Sequence, residues 1–293
     1  GFTLTREETI PELHAAARFF RHHCGAEVVS LVAAKDAPKN AMGEEHVFGV
    51  AFPTLPEDSA GVAHILEHSV LSGSMRYPCK EPFAELMRSS LQTFLNAMTY
   101  PDRTVYPVAS TNTTDFFNLV DVYLDAVFRP LLGPEALRQE GWRLEVGDEG
   151  ELSVAMSGVV LSEMRGVFSI PDSVHGMDGT QALFPNHTYG VCSGGDPAAI
   201  PTLTLEAFTE FHRKYYSPSK ARLFFWAKDG EEGNGSGREE EEKLLQVVAE
   251  HFELSKAYPD PFPKPRRVRT EYAADPDGDG GDGVFVTMEW ALP

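Results

Sequence analysis

The chain has 293 residues, room for about two domains of ordinary size. Hydrophobic residues make up 42%, aromatic residues 11% and charged residues 24%, which excludes wholesale disorder and fibrous repeats. Its 25 Lys and Arg stand against 44 Asp and Glu, a formal charge of -19, and this argues against nucleic acid or an anionic membrane held by bulk electrostatics. Cys24, Cys79 and Cys192 are an odd number, widely spaced and without a CxxC pair, so they make neither a disulfide framework nor a zinc knuckle. A reducing compartment is the simpler reading. No apolar run reaches the roughly 18 residues that span a bilayer. The opening GFTLTREETIPEL also lacks the basic-then-apolar pattern of a secretory signal.

Leu13, Ala16, Phe19 and Phe20 recur at helical spacing, predicting a short helix stopped by Gly25. AEVVSLVA and HVFGVAFPT read as two strands joined by a hairpin-like polar loop. GVAHILEHSVLSG follows as a helix, with Asp58 or Ser59 as its cap and Gly73 as its end. KEPFAELMRSSLQTFL carries apolar residues near helical periods, with Pro82 suited to a first turn, and NAMTYPDRTVYPVAS then turns extended. The next helix, DFFNLVDVYLDAVFRP, starts at Thr113-Thr114-Asp115 and is limited by Pro130.

Residues 141–150 read as strand then turn, and LSVAMSGVVLSEMRGVFS as a strand passing into a helix. The Gly/Pro/Asp-rich passage from Ile170 to Leu203 reads as irregular and too long for an ordinary connection. TLEAFTEFHRKYY is a helix with a Thr start, ARLFFWAKD a strand, GEEGNGSGREEEE a solvated insertion and LLQVVAEHF a helix. The expected first domain is 1–257; residues 258–293 read as a linker and the first strand of a second domain. The chain starts at Gly and stops at the strand-like GVFVTMEWALP, so it reads as the front part of something longer, since a sheet cannot bury its face with one strand.

The chemistry concentrates in His64-Ile65-Leu66-Glu67-His68. On a helix His64 and His68 lie one turn apart on one face, close enough for both imidazoles to bind one Zn²⁺. Glu67 is beside His68 and one turn from His64, where its carboxylate reaches a water at the metal without being a ligand. This is the H-x-x-E-H pattern of zinc proteases; two partly buried helix histidines and a solvated Glu are the alternative. A third ligand is needed, and spacing alone does not choose it. Glu163 in VVLSEMRG is attractive because it interrupts an apolar helix start, where a carboxylate needs a compensating partner; a helix-surface Glu is the bland reading.

The run from His64 through Ser110, with QEGWRLE, GVVLSEMRGV, LFPNHTYGVCSGGDPAAIPTLT and FHRKYYSPSKARLFF, resembles the presequence protease branch of the pitrilysin-type (M16) metallopeptidases. The likeness extends from about Val47 to Ala227. It implies an α+β fold with an antiparallel-rich sheet packed against helices, His64, His68 and Glu163 as ligands of one Zn²⁺, and Glu67 as general base. By the same resemblance an edge strand pairs with the peptide substrate, and the N-A-x-T segment, here Asn96, Ala97 and Thr99, contacts it. Family members have two similar halves closing on a chamber, and the distal half adds an Arg and a Tyr; the C-terminal half would thus be a partner of this one. The sequence departs from the family at Ser72, commonly Cys, at Tyr216-Ser217-Pro218-Ser219-Lys220, usually Tyr-His-Pro-Ser-Asn, and in the acidic stretch after Asp229.

Three functions follow from these readings. The resemblance implies a zinc endopeptidase acting on unfolded peptides, including cleaved targeting peptides, in the mitochondrial matrix or chloroplast stroma. A noncatalytic or incomplete subunit of the same fold is the second, weighed against by the intact set of His64, Glu67, His68 and Glu163. The third is a binding module whose acidic surface recruits basic peptides, which metal content separates from the first.

Overall fold

Period-two burial in Ala15–His22 makes this segment a strand rather than the expected helix: Ala15, Ala17, Phe20 and His22 turn inward while most of the intervening residues lie nearer the surface. Its helical spacing is overridden by pairing on both sides, antiparallel to Phe2–Ile10 and to Glu27–Ala33. These three strands are β2, β1 and β3. The computed structural model describes residues 1–37, 44–79, 82–146, 154–229, 237–256, 266–267 and 291–292. The centre of the loop expected after β3, the turn near 147–153, the start of the acidic insertion, and the expected linker and terminal strand apart from 266–267 and 291–292 lie outside the described residues.

The sheet continues with β4 (His46–Phe52), β5 (Gln92–Leu95), β6 (Met98–Thr99), β7 (Thr104–Ser110) and β10 (Arg222–Lys228), in the order β1-β2-β3-β10-β4-β7-β5, with β6 also paired to β7. β3 and β4 are therefore no hairpin. β10 lies between them, parallel to β3 and antiparallel to β4, and places Trp226 opposite Leu31 and Val47. LFFWA can take this central position because such a strand needs apolar residues on both faces. A separate antiparallel pair, β8 (Arg143–Val146) and β9 (Val154–Ser157), stands outside this sheet.

Helices cover the sheet. α3 (Thr113–Phe128) packs on β4 and β7, and α8 (Gly237–Lys256) on β3 and β10. The Asn112 side chain caps α3 by accepting from Asp115 N. Part of the expected solvated insertion belongs to α8, where Glu240 and Glu241 are buried. Glu240 meets His46 Nε2 at 2.7 Å and accepts from Thr113, while Glu241 accepts from Arg18 and from Ser30 Oγ at 2.9 Å. Burial raises the Glu241 pKa against the lowering effect of Ser30 and Arg18. These partners explain how acidic residues enter a helix–sheet interface.

α1 (Val62–Val70) is buried on nearly every side and touches α7 (Leu205–Tyr215), β6 and the turn at Leu137–Gly141. Ile65 and Leu66 are completely covered, a gain of roughly 1.5–3 kcal/mol for each side chain. Neither Asp58 nor Ser59 caps α1; its N-cap is Gly61, with φ +72°, and the helix ends before Leu71 rather than at Gly73. The following loop is tied to α3: Arg76 N donates to Asp125 Oδ2 at 2.8 Å, and Arg76, Tyr77 and His251 all donate to Asp121.

α2 (Pro82–Ser89) ends earlier than its apolar spacing indicated, because Gln92–Leu95 is recruited into the sheet as β5. A short α4 (Pro134–Ala136) runs into a π-helical turn, Leu137–Gly141, and α5 (Val159–Phe168) follows β9. Within the passage expected to be irregular, Pro171–Leu183 forms α6. It has no buried residue and hence no apolar stripe for periodicity to reveal. The result is a mixed α+β fold with an antiparallel-rich sheet packed against helices. The chain divides into two compact units, Gly1–Ala257 and Tyr258–Pro293. Within the second, β11 (Arg266–Arg267) pairs antiparallel with β12 (Ala291–Leu292). No helix among the described residues is long and apolar enough to cross a membrane.

One buried group makes stability pH-dependent. His212 on α7 donates from Nε2 to the Val127 carbonyl at 3.0 Å and stacks on Tyr216. Burial pushes its pKa down from 6.5 to about 4, outweighing the Val127 carbonyl, which raises it. The unfolded chain then binds more protons between these values, so stability is held above pH 6.5 and is lost as pH falls toward 4. The urea midpoint at pH 4.5 should correspond to about 2 to 3 kcal/mol less stability than at pH 7 through this group. His212→Gln should flatten that decline, and an equally steep decline in the variant would remove His212 as its source.

Candidate metal centre

Helical geometry on α1 brings the His64 and His68 rings to 5.0 Å between centroids, at 74°. Glu163 projects from α5, which Val160, Leu161 and Met164 anchor in the core. Its Oε2 lies 3.6 Å from His64 Nε2 and 3.9 Å from His68 Nε2. One ligand atom from each of the three residues falls within 4.8 Å of the other two. Ligand atoms around a tetrahedral zinc lie about 3.4 Å apart, so the three need only a small contraction. Glu163 is 49% exposed, so it stands at an open mouth and not in the apolar surroundings that its sequence neighbours predict.

The opposite nitrogens are already engaged. His64 Nδ1 donates to the Gly194 carbonyl at 3.0 Å, and His68 Nδ1 faces Glu140 Oε2 at 3.3 Å. In its neutral form each ring, with the proton on Nδ1, turns the Nε2 lone pair toward the common point, the arrangement that imidazole ligands require. The donor set, two nitrogens and a carboxylate oxygen with an open side, fits a catalytic zinc site. Burial lowers the His68 pKa, but the hydrogen bond His68 donates to Glu140 and the charges of Glu67, Glu140 and Glu163 outweigh it and leave the pKa raised.

Glu140 and Gly194 were absent from the sequence-derived site. Both sit in runs that carried the resemblance, QEGWRLE and GVCSGGDP, but nothing local shows that they face α1. Glu140 is buried in the π-helical turn, where Gln139 Nε2 donates to its other oxygen at 3.0 Å.

A cavity of about 390 Å³ opens on the cluster, lined by His64, Glu67, Ala97, Met98, Thr99, Tyr100, Glu163 and Gly194. Glu67 is buried at its wall. Of the three expected substrate contacts, Ala97 and Thr99 line the cavity, while Asn96 is exposed beside it. The Asn96 backbone donates to Pro107 O and accepts from Tyr123 OH. Thr99 Oγ1 is buried without a hydrogen-bond partner among the described residues. β5 and β6 end the sheet next to this cavity.

Residues 55–155 match the family model described as Insulinase (Peptidase family M16). The chain is 48% identical to Presequence protease 1, chloroplastic/mitochondrial, of Arabidopsis thaliana, over 100% of this chain and 26% of that protein. It is 43% identical to Protein HypA of Clostridium perfringens, over 86% of this chain and 25% of that protein. A crystal structure of pitrilysin matches with a TM-score of 0.59 at 20% identity, over 94% of this chain and 26% of that one, and shows the likeness of fold. The chain thus spans about a quarter of the length of these relatives.

Fold, cluster and family match define a zinc metallopeptidase domain. It is a pitrilysin-type (M16) domain, closely related to the presequence proteases of mitochondria and chloroplasts. Its two histidines and a neighbouring carboxylate form a site for a single zinc ion.

Proposed function

We propose that this chain is the N-terminal catalytic part of a larger zinc endopeptidase that hydrolyses unfolded peptides, including cleaved organellar targeting peptides. The observation that carries the reading is the convergence of His64, His68 and Glu163 on one point in a cavity that Glu67 also lines. The likeness to presequence proteases of chloroplasts and mitochondria supports the substrate class and a place in the mitochondrial matrix or chloroplast stroma.

In this reading His64, His68 and Glu163 hold zinc, which when bound acidifies water and polarises the scissile carbonyl. Glu67 accepts the proton of the attacking water and returns it to the leaving amine. Its buried position keeps the carboxylate close to the cavity and screened from bulk solvent. The peptide lies extended along β5 and β6 at the end of the sheet, where Asn96, Ala97 and Thr99 meet its backbone and side chains. The chain's charge of -19 favours encounter with basic peptides. The remaining part of the longer protein closes over the site and contributes further groups to substrate binding.

The test is zinc content and cleavage of an unfolded basic peptide by the natural full-length protein. Near one zinc per chain and cleavage abolished by chelation are expected. A zinc-loaded protein that leaves such peptides intact would overturn the peptidase reading and favour a noncatalytic subunit.

A further inference from the structure

The His64 ring is directed by a backbone contact between two segments far apart in sequence. Gly61, the N-cap of α1, has φ +72°, and Gly195 has φ +102°, both in the region that favours glycine. A Cβ on Gly61 would stand 2.9 Å from Gly195 Cα and 3.1 Å from the Gly194 carbonyl oxygen. A Cβ on Gly195 would stand 2.9 Å from Gly61 Cα and 2.9 Å from the Ile200 side chain. The two backbones touch where any side chain would separate them.

Ser59 fastens the contact from both ends. Its hydroxyl accepts from Cys192 N at 3.1 Å and its carbonyl from Asp196 N at 2.8 Å. The loop between these anchors closes on itself, with Gly195 N donating to Cys192 O, and presents the Gly194 carbonyl to His64 Nδ1. Gly61 O in turn accepts from Ile65 N in the first turn of α1, so one glycine fixes both the helix start and the approach of the loop.

We propose that Ser59, Gly61 and Gly195 form a clasp that positions His64, holding its proton on Nδ1 and its Nε2 toward Glu163, and thereby sets zinc affinity. These are positioning residues; none of them touches the metal point. The inference rests on the zinc-site reading above, but its first readout does not need metal. Nitrogen NMR of the metal-free full-length protein should show the His64 proton on Nδ1 in wild type and a mixture of tautomers in Gly195→Ala. Zinc affinity by chelator competition should fall about 10- to 100-fold in Gly195→Ala, the usual cost of losing an outer partner of a ligand histidine.

Ser59→Ala loses a single hydrogen bond and should weaken zinc about 3- to 10-fold. Gly176→Ala, on the open face of α6 with no atom within 4 Å of its Cβ, controls for replacing a glycine and should bind zinc as wild type does. Should Gly195→Ala fail to fold, Ser59→Ala decides. Wild-type tautomer and affinity in folded Ser59→Ala, or in folded Gly195→Ala, would overturn the clasp. A wild-type protein with no zinc affinity but a tautomer shift in the variants would sink the zinc reading and leave the clasp standing.

Discussion

Glu67→Gln is expected to leave bound zinc near the wild-type level and to cut peptide hydrolysis by about 10²- to 10⁴-fold, the range ascribed to a positioned general base. The substitution keeps size and removes basicity, and the three atoms that converge on the metal point belong to other residues. Glu67 is buried in α1 and lines the cavity beside Ala97 and Thr99, so an isosteric amide should preserve packing. Bound zinc and turnover should be measured on one preparation of the full-length protein. Turnover within about threefold of wild type would remove Glu67 from proton transfer, since general-base loss costs far more. Zinc loss in the variant would instead make Glu67 a ligand.

The centre of the site was legible because the information is local. His64, Glu67 and His68 fall within two helical turns, and periodicity of 3.6 places them without knowledge of the rest of the fold. Glu163 was not legible in that way; spacing left it among other glutamates, and the resemblance singled it out. The groups that orient the imidazoles were missed for the same reason. Glu140 reaches His68 from the π-helical turn and Gly194 reaches His64 from a loop, and such contacts depend on packing between distant segments.

The fold shows the same division. Strands β3 and β4 were readable from their composition, but their separation by β10 depends on a segment more than a hundred residues downstream. Ala15–His22 carried a helical pattern and became a strand because β1 and β3 supply hydrogen bonds on both edges. Asp58 and Ser59 look like helix caps, yet Ser59 spends its hydrogen bonds on Cys192 and Asp196 while Gly61 starts the helix. Capping signals describe an isolated helix; here a loop from elsewhere in the chain competes for the same groups.

Two carboxylates flank His68, and removing each should have a different outcome. Glu163 Oε2 faces the Nε2 atoms of both histidines, at 3.6 and 3.9 Å, on the side where their lone pairs converge. Glu140 Oε2 faces His68 Nδ1 at 3.3 Å, and a nitrogen that donates its proton there has no lone pair for metal. Glu163→Gln should therefore leave a site of two imidazoles and reduce zinc affinity by more than about a hundredfold, beyond the usual cost of an outer partner. Glu140→Gln keeps an acceptor for Nδ1 and loses only its charge, so its cost should be about tenfold, the low end for such partners. Chelator competition on the two variants in parallel gives the comparison. If Glu140→Gln emptied the site while Glu163→Gln kept zinc, the ligand and the orienting group would have to exchange places. That exchange would need His68 to bind through Nδ1 and its ring to turn away from the oxygen it now shares with His64.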